Sequence, residues 1–227
     1  QKSELSKIHK ICPENKIVVI PLGFDLERFN TNKESKRIEF RKKWNLKENE
    51  IAIGIIGRLV PIKNHMFFID AIQKVLKKSE FPIRAFIVGD GEEKQNIINY
   101  IKSKNLDFSL DHTPATFNLT SWVKEIDRVN SGMDIICLTS LNEGTPVSLI
   151  EAQASGKPIV STKTGGIKNI VLENKTALLS EKNDLHNFSK NLLSLVNDSE
   201  KRILFSKYGL EKSKDFKATV QFTSPQN

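Results

Sequence analysis

Apolar runs and amphipathic stretches take turns along the chain. Lys16-Ile17-Val18-Val19-Ile20-Pro21 is β-branched and ends at Pro21 and Gly23, which predicts a strand after a polar lead-in, helical or loose, over Gln1 to Glu14. Charge dominates from Asp25 to Glu50, where Ile38, Phe40 and Trp44 leave a partial helical stripe and the aromatics read as packing anchors. Ile51-Ala52-Ile53-Gly54-Ile55-Ile56 is apolar throughout, as a strand buried on both faces must be, and it closes in Gly57-Arg58. The loop Leu59 to Asn64 leads into a helix with Phe67, Phe68, Ala71, Ile72, Val75 and Leu76 at helical spacing. A strand over Ile83 to Val88 ends in Gly89-Asp90-Gly91, and a helix follows with Ile97, Ile98 and Ile101 on its inner face. Leu106 to Thr116 is irregular, Phe117 to Thr120 reads as a short strand, and Trp122 to Val129 as a short helix. This rhythm predicts an α/β fold, a central parallel sheet covered by helices on both faces.

The stretch from Met133 to Gly166 carries the strongest pattern. Met133 to Leu138 is another buried-strand run, Thr139 to Glu143 is polar, and Gly144-Thr145-Pro146 punctuates the chain before a helix over Val147 to Ala154. Pro146 suits the first helical position and Thr145 the N-cap. Ser155-Gly156 stops the helix, Pro158-Ile159-Val160 starts a strand, and Thr164-Gly165-Gly166 turns into Ile167 to Leu172. Ala177 to Leu179 reads as a last edge strand, Asp184 to Val196 and Glu200 to Lys214 as helices, and the polar end beyond Asp215 as loose. A helix N-terminus behind a strand offers unpaired N–H groups and partial positive charge to an anion, at the sheet edge where open α/β folds collect ligands.

Composition narrows the classes. The 227 residues suffice for one large or two small domains with a real core, and no repeat or low-complexity segment interrupts them. Lys and Arg outnumber Asp and Glu by 35 to 27, a net charge of +8 that suits a Lys-rich surface, an anionic substrate or an anionic leaflet. Nucleic acid is not expected, since no aromatic-interleaved basic stretch, zinc-finger spacing or RNA-recognition signature occurs. Cys12 and Cys137 are too few and too far apart for a staple framework, which points to a reducing compartment. No apolar run reaches the length of a membrane span and no signal peptide is visible, so the glycosylation sequons at Asn118, Asn174 and Asn197 read as chance. The expected location is cytoplasmic, with peripheral contact at the inner face of the membrane open. The first residue is Gln, which reads as a processed or trimmed piece.

Gly57, Gly89 with Gly91, and Gly144 would lie along one edge of a parallel sheet, where glycine lets a ligand approach the backbone. Neither the dinucleotide fingerprint nor the Walker pattern is complete. Arg58 and Lys63 flank one strand end, a fork and a mobile point charge that would together neutralise a diphosphate; taken alone, each also reads as a surface charge. Glu143 and Glu151 bracket the helix start, and Glu151 suits a ribose diol, although Ser148 to Glu151 also matches a capping box. His9, His65, His112 and His186 are scattered, no metal constellation or Asp-x-Asp pair appears, and no Ser or Cys nucleophile motif is present. The pattern points to anion binding and electrostatic stabilisation of a leaving group.

Gly57-Arg58-Leu59-Val60-Pro61-Ile62-Lys63-Asn64, then Val88 to Gly91, Glu143 to Ala152 and Gly165-Gly166, resemble in order and spacing the C-terminal half of retaining GT-B glycosyltransferases of family four. The resemblance covers about Lys16 to Leu179. It implies a Rossmann-like domain that binds a nucleotide diphosphate sugar, a UDP-sugar above all, with no metal and no other cofactor. It implies that Arg58 and Lys63 hold the diphosphate, that Glu143 faces the donor sugar beside the N–H groups of Gly144 and Thr145, and that those of Val147 and Ser148 meet the phosphates. Glu151 would bind the ribose, and Gly57, Gly89, Thr120, Ser121 and Trp122 would border the nucleotide. Pro146 departs from members with Gly there, which bears on the sugar contacts. Residues 1–30 resemble only the end of an N-terminal domain with its linker, 31–200 the donor domain, and 201–227 a C-terminal helix and tail. A glycan or lipid-linked acceptor would bind the missing N-terminal domain, so this chain is expected to bind donor and transfer poorly. Two other readings stay open: a sugar-nucleotide epimerase on the same fold, and a non-catalytic nucleotide-sugar module.

Overall fold

The computed structural model describes residues 6, 7, 10–16 and 23–218. The strand expected at Lys16 to Pro21 falls, from Ile17 on, outside the described residues, as does most of the lead-in; Glu14–Lys16 is one turn of 3-10 helix. The chain divides into two compact units, one of Gln1–Asp25 with Phe216–Asn227 and one of Leu26–Asp215. In the smaller unit Phe24 and Lys217 form an isolated parallel bridge.

The larger unit is a doubly wound α/β layer. Its order is α1 (Glu27–Asn30), α2 (Lys33–Lys43), β1 (Ile51–Ile56), α3 (His65–Leu76), β2 (Ile83–Val88), α4 (Lys94–Ser103), β3 (Phe108–Ser109), β4 (Phe117–Ser121), α5 (Ile126–Gly132) and β5 (Ile135–Leu138). Then come α6 (Val147–Ala154), β6 (Ile159–Thr162), α7 (Ile167–Ile170), β7 (Ala177–Ser180), α8 (Leu185–Asn197) and α9 (Ser199–Ser213). The strands lie in the order β3-β4-β2-β1-β5-β6-β7, all parallel. Strand order reverses between β1 and β5, and a crevice forms beyond the carboxyl ends of strands at such a point.

The uninterrupted apolar runs are the strands buried from end to end: every residue of β1, β2, β5 and β6 is buried. On one face α3 packs against α8, with Phe67 edge-on to Phe188 at 5.3 Å. On the other, Phe40 and Trp44 at the end of α2 close on Phe86 of β2 at 5.5 and 5.3 Å, and α6 packs against α9. Asp134, just before β5, accepts hydrogen bonds from Arg37 (2.7 Å), Arg41 (3.3 Å) and the backbone N–H of Ala52 (2.8 Å), tying α2 and β1 to β5. The Asp184 and Asp198 carboxylates cap α8 and α9 by accepting from the N–H groups of Asn187 and Lys201 at 3.0 and 2.8 Å.

Three local expectations are corrected. The helix expected from Trp122 starts at Ile126 and runs on to Gly132, because Ser121 turns out of β4 at φ 58° and leaves Trp122 to Glu125 as a loop. The irregular stretch before β4 holds a two-residue edge strand, β3, too short for a periodic signal. Helix α6 spans Val147 to Ala154 as expected, but its cap differs: Pro146, expected at the first helical position, holds ψ 90° and is itself the N-cap, its carbonyl accepting from the N–H of Leu149 at 3.0 Å, while Thr145 makes no capping bond.

Candidate functional site

Beyond the ends of β1 and β2, and facing the first turns of α6, lies a cavity of ≈ 470 Å³. Gly57, Arg58 and Gly89 line it from the strand ends, Ser148 and Glu151 from α6, and Trp122 to Lys124 from the loop after β4. A Cβ on Gly89, which holds φ 142°, would stand 1.9 Å from the Gly57 carbonyl oxygen, so two strand ends meet there at backbone distance.

Lys63 closes the 3-10 turn Pro61–Lys63, and its side chain passes Gly57: its Cε lies 3.6 Å from where a Cβ on that glycine would be. Its ammonium meets Glu143 Oε1 at 2.6 Å, and the Ser140 hydroxyl donates to the same oxygen at 2.5 Å. Thr139, first residue past β5, donates to the carbonyls of Lys63 and Asn64 at 2.8 and 3.1 Å, and the Leu141 N–H donates to the Ile62 carbonyl at 2.8 Å. The Lys63 turn and the Glu143 loop are thus laced together from both sides. Behind them Gly165 holds φ 48°, and the Gly166 N–H donates to the Glu143 carbonyl at 3.0 Å. A Cβ on Gly165 or Gly166 would fall 1.8 or 2.0 Å from the carbonyl oxygens of Glu143 and Gly144, so the glycine pair is the seat of the loop.

Among the described residues, the N–H groups of Gly144, Thr145, Val147 and Ser148 find no acceptor within the chain. They lie on consecutive residues either side of Pro146, which has no N–H to offer, and present a run of free donors at a helix start. Glu151 sits one turn further in. Burial pushes its carboxyl up to about 7, Asp127 adds to the rise and Arg28 opposes it. His65, 2% exposed at the start of α3, is held down at about 4 by burial and by the Lys63 charge, and is a neutral core side chain. The Cys137 thiol is fully enclosed in β5 and pushed far up by burial, as a small core hydrophobe.

Of the residues singled out in the sequence, the structure brings Gly57, Arg58, Gly89, Trp122, Ser148 and Glu151 onto one cavity, with Lys63 and Glu143 joined to it through Gly57. Gly144 and Thr145 are exposed on the loop leading into α6, and Val147 is exposed as its first residue. Thr120 instead lines a neighbouring cavity of ≈ 430 Å³ beside Trp44 and His112. The Ser121 hydroxyl donates to Asp90 and accepts from Lys94 at 3.2 Å, a network that holds the Asp90 carboxyl down at about 2. Lys124 and Val123 in the cavity wall, and Ser140 behind Glu143, were not singled out. A lone lysine in an irregular loop carries no sequence signal, whereas the polar pair Thr139-Ser140 closing an apolar strand does. Among the described residues no group of three or more His, Cys, Asp or Glu is placed to hold a metal ion, and no helix is long and apolar enough to cross a membrane.

A doubly wound parallel sheet with a cation-lined cavity and free N–H groups at its switch point defines a Rossmann-like domain of the kind that makes one half of a GT-B fold. The model of the family described as "Glycosyl transferases group 1" matches residues 36–212, and the chain belongs to that family. It is 31% identical over 191 residues to UDP-Gal:alpha-D-GlcNAc-diphosphoundecaprenol alpha-1,3-galactosyltransferase of Escherichia coli, covering 83% of this chain and 47% of that protein. It is 26% identical over 198 residues to D-inositol 3-phosphate glycosyltransferase of Corynebacterium urealyticum, covering 85% and 46%. The chain therefore spans about half the length of the curated relatives it matches. In fold it is similar to the C-terminal domain of the glycosyl transferase group 1 family protein LpcC of Francisella tularensis (TM-score 0.72, 22% identity, 87% of this chain and 100% of that one). It is also similar to Anabaena HepE in complex with UDP-glucose (TM-score 0.79, 21% identity, 95% and 57%).

Proposed function

We propose that this chain is the donor-binding half of a retaining glycosyltransferase that takes its sugar from a UDP-sugar without a metal ion and passes it to a glycan or lipid-linked acceptor held by a second half. The observation that carries the reading is the convergence on one switch-point cavity of Arg58, Glu151 and Ser148, with the Lys63–Glu143 pair at its edge. The relatives add to it: one is named for a UDP-galactose donor and a diphosphoundecaprenol-linked acceptor, and a solved neighbour holds UDP-glucose.

As the bond between the anomeric carbon and the diphosphate oxygen breaks, negative charge grows on the diphosphate and positive charge on the sugar. Arg58, Lys63 and the N–H groups of Val147 and Ser148 meet the first charge, and this preorganised positive field takes the part that an ion would otherwise supply. Glu143 faces the second, beside the N–H groups of Gly144 and Thr145. Its Oε1 is engaged by both Lys63 and Ser140, which suits a group that positions the sugar and offsets its charge better than one that attacks it. The incoming hydroxyl then arrives on the face the diphosphate leaves, and configuration is kept. Glu151 accepts from the ribose hydroxyls, and the exposed Trp122 ring borders the base.

The test is calorimetric titration of this chain with UDP against ADP, GDP and NAD, followed by anomeric analysis of the product from the protein carrying both halves. Preference for UDP and a product with the donor's anomeric configuration are expected. Preference for a dinucleotide, or an inverted product, would overturn the reading.

A further inference from the structure

On the face opposite α6, a groove of ≈ 520 Å³ runs between the end of α3 and the first half of α8. Its rim carries Lys74, Lys77, Lys78 and Lys190, all exposed, and no carboxylate lines it. Among the described residues none of the four lysines forms an ion pair or hydrogen bond. The nearest acidic side chains in sequence are already engaged: Asp184 accepts from Asn187, Glu80 accepts from Asn197, and Asp70 pairs with Lys104. The floor is apolar, formed by Val75 and Leu193. One polar atom interrupts it. The Ser189 hydroxyl is buried in the groove wall (the residue is 8% exposed) and has no hydrogen-bond partner.

A buried hydroxyl without a partner costs about 1–3 kcal/mol, and an acceptor seated in the groove would offset that cost. Four cations above it require that acceptor to be anionic. Lysines, point charges on flexible stems, suit phosphate oxygens approached from several directions, where an arginine fork would fix one geometry. Three residues beyond Lys78, Phe81 is an exposed ring held on a tight turn in which the Ser79 hydroxyl donates to its carbonyl at 2.6 Å. A cluster of lysines over an apolar floor, with an exposed aromatic ring three residues along the chain, fits a phosphate that comes attached to a lipid.

We infer that the α3–α8 groove is a second anion site, which takes the phosphate headgroup of an anionic membrane lipid and rests this face of the domain on the bilayer. The groove lies one helix length, about 18 Å, along α3 from the Lys63 turn, so a bound headgroup leaves the switch-point cavity open. It draws on none of the residues assigned to the sugar donor and stands apart from that assignment.

The test is sedimentation of this chain with vesicles of phosphatidylcholine alone or mixed in equal parts with phosphatidylglycerol, at low salt. Two charge-matched variants are compared: Lys74→Gln/Lys77→Gln/Lys78→Gln/Lys190→Gln in the groove, and Lys42→Gln/Lys168→Gln/Lys175→Gln/Lys207→Gln elsewhere on the surface. All eight lysines are exposed. Equal urea midpoints check that both variants fold. Binding to the phosphatidylglycerol vesicles is expected to fall about tenfold or more in the groove variant and to stay near the wild-type level in the other. Ser189→Ala is expected to weaken binding by a smaller factor. Equal loss in the two quadruple variants would reduce the effect to net charge and overturn the inference. So would no binding of wild type to anionic vesicles, or a calorimetric response to inorganic pyrophosphate that the groove variant loses and Lys63→Ala keeps, which would make the site one for a free phosphate.

Discussion

The Lys63 ammonium is shared between holding Glu143 in the chain as it stands and, in the reading proposed above, meeting the diphosphate. Lys63→Ala in the protein with both halves is therefore expected to lower kcat by about 10²–10³-fold, the usual cost of removing one preorganised donor. Its urea midpoint should change little, because the ion pair is partly exposed and Ser140 still holds the carboxylate. Normal turnover in that variant would remove the assignment. Glu151 makes a prediction of a different kind. Its carboxyl, raised by burial from 4.5 to about 7, binds its proton in the folded protein over a range where the unfolded chain has released it. Its contribution to stability is thus full below 4.5 and is lost as pH rises to about 7. His65, lowered from 6.5 to about 4, works the other way: its contribution is present above 6.5 and is lost as pH falls through about 4. Urea midpoints from pH 5 to 8 should consequently drop less steeply towards neutrality in Glu151→Gln than in wild type. In the proposed reading Glu151 holds the ribose in its ionised form, so UDP affinity in wild type should weaken by about tenfold for each pH unit below 7, whereas in Glu151→Gln it should be weak and flat.

At the scale of elements, the site is a set of strand ends and one seated loop. The loop Thr139 to Pro146 has no regular structure, yet Thr139 and Leu141 bond to the backbone around Lys63, Glu143 bonds to the Lys63 ammonium and the Gly166 N–H, and Ser140 bonds to Glu143. Gly165→Ala must place a methyl where the Glu143 carbonyl lies, in a left-handed conformation that costs about 1 kcal/mol in itself. We expect a loss of about 1–3 kcal/mol in urea denaturation and at least a tenfold loss in UDP affinity by calorimetry. A Gly165→Ala protein with unchanged affinity would show that the loop tolerates displacement. The motif glycines were legible because each stands at the end of an apolar run, and the runs over Ile51 to Ile56 and Ile83 to Val88 were legible because strands buried on both faces admit nothing polar. Pro146 was misplaced by one residue because proline suits both the N-cap and the first turn, and only its ψ distinguishes them. The start of α5 was missed because Trp122 and Val123 continue an apolar pattern while serving the cavity wall. The two-residue β3 and the unpartnered Ser189 hydroxyl arise from tertiary packing and leave no periodic trace.

For the whole molecule, the division of labour between two faces decides what the chain does by itself. The positive side chains and free N–H groups that would meet the diphosphate all belong to the Leu26–Asp215 unit, and their partners lie within it. In the reading proposed above, the groups that meet the donor all lie within this unit, and the acceptor is held by a second half. Binding and turnover should separate accordingly. UDP at 100 times its dissociation constant should stabilise this chain by about 2.7 kcal/mol, read as a rise in the unfolding temperature, because ligand binds the folded state alone. If, as proposed, the positive field comes from Arg58, Lys63 and backbone N–H groups, a chelator should leave that rise unchanged. Incubation with a UDP-sugar should give no transfer to added glycan, and transfer should appear when the same sequence is joined to an acceptor-binding half. If the chelator abolished the UDP-induced shift, the diphosphate would be held through an ion and the role given to Arg58 and Lys63 would fail. If the chain transferred sugar unaided, the acceptor would have to bind within this unit, and the loop from Trp122 to Glu125 would be the first surface to search.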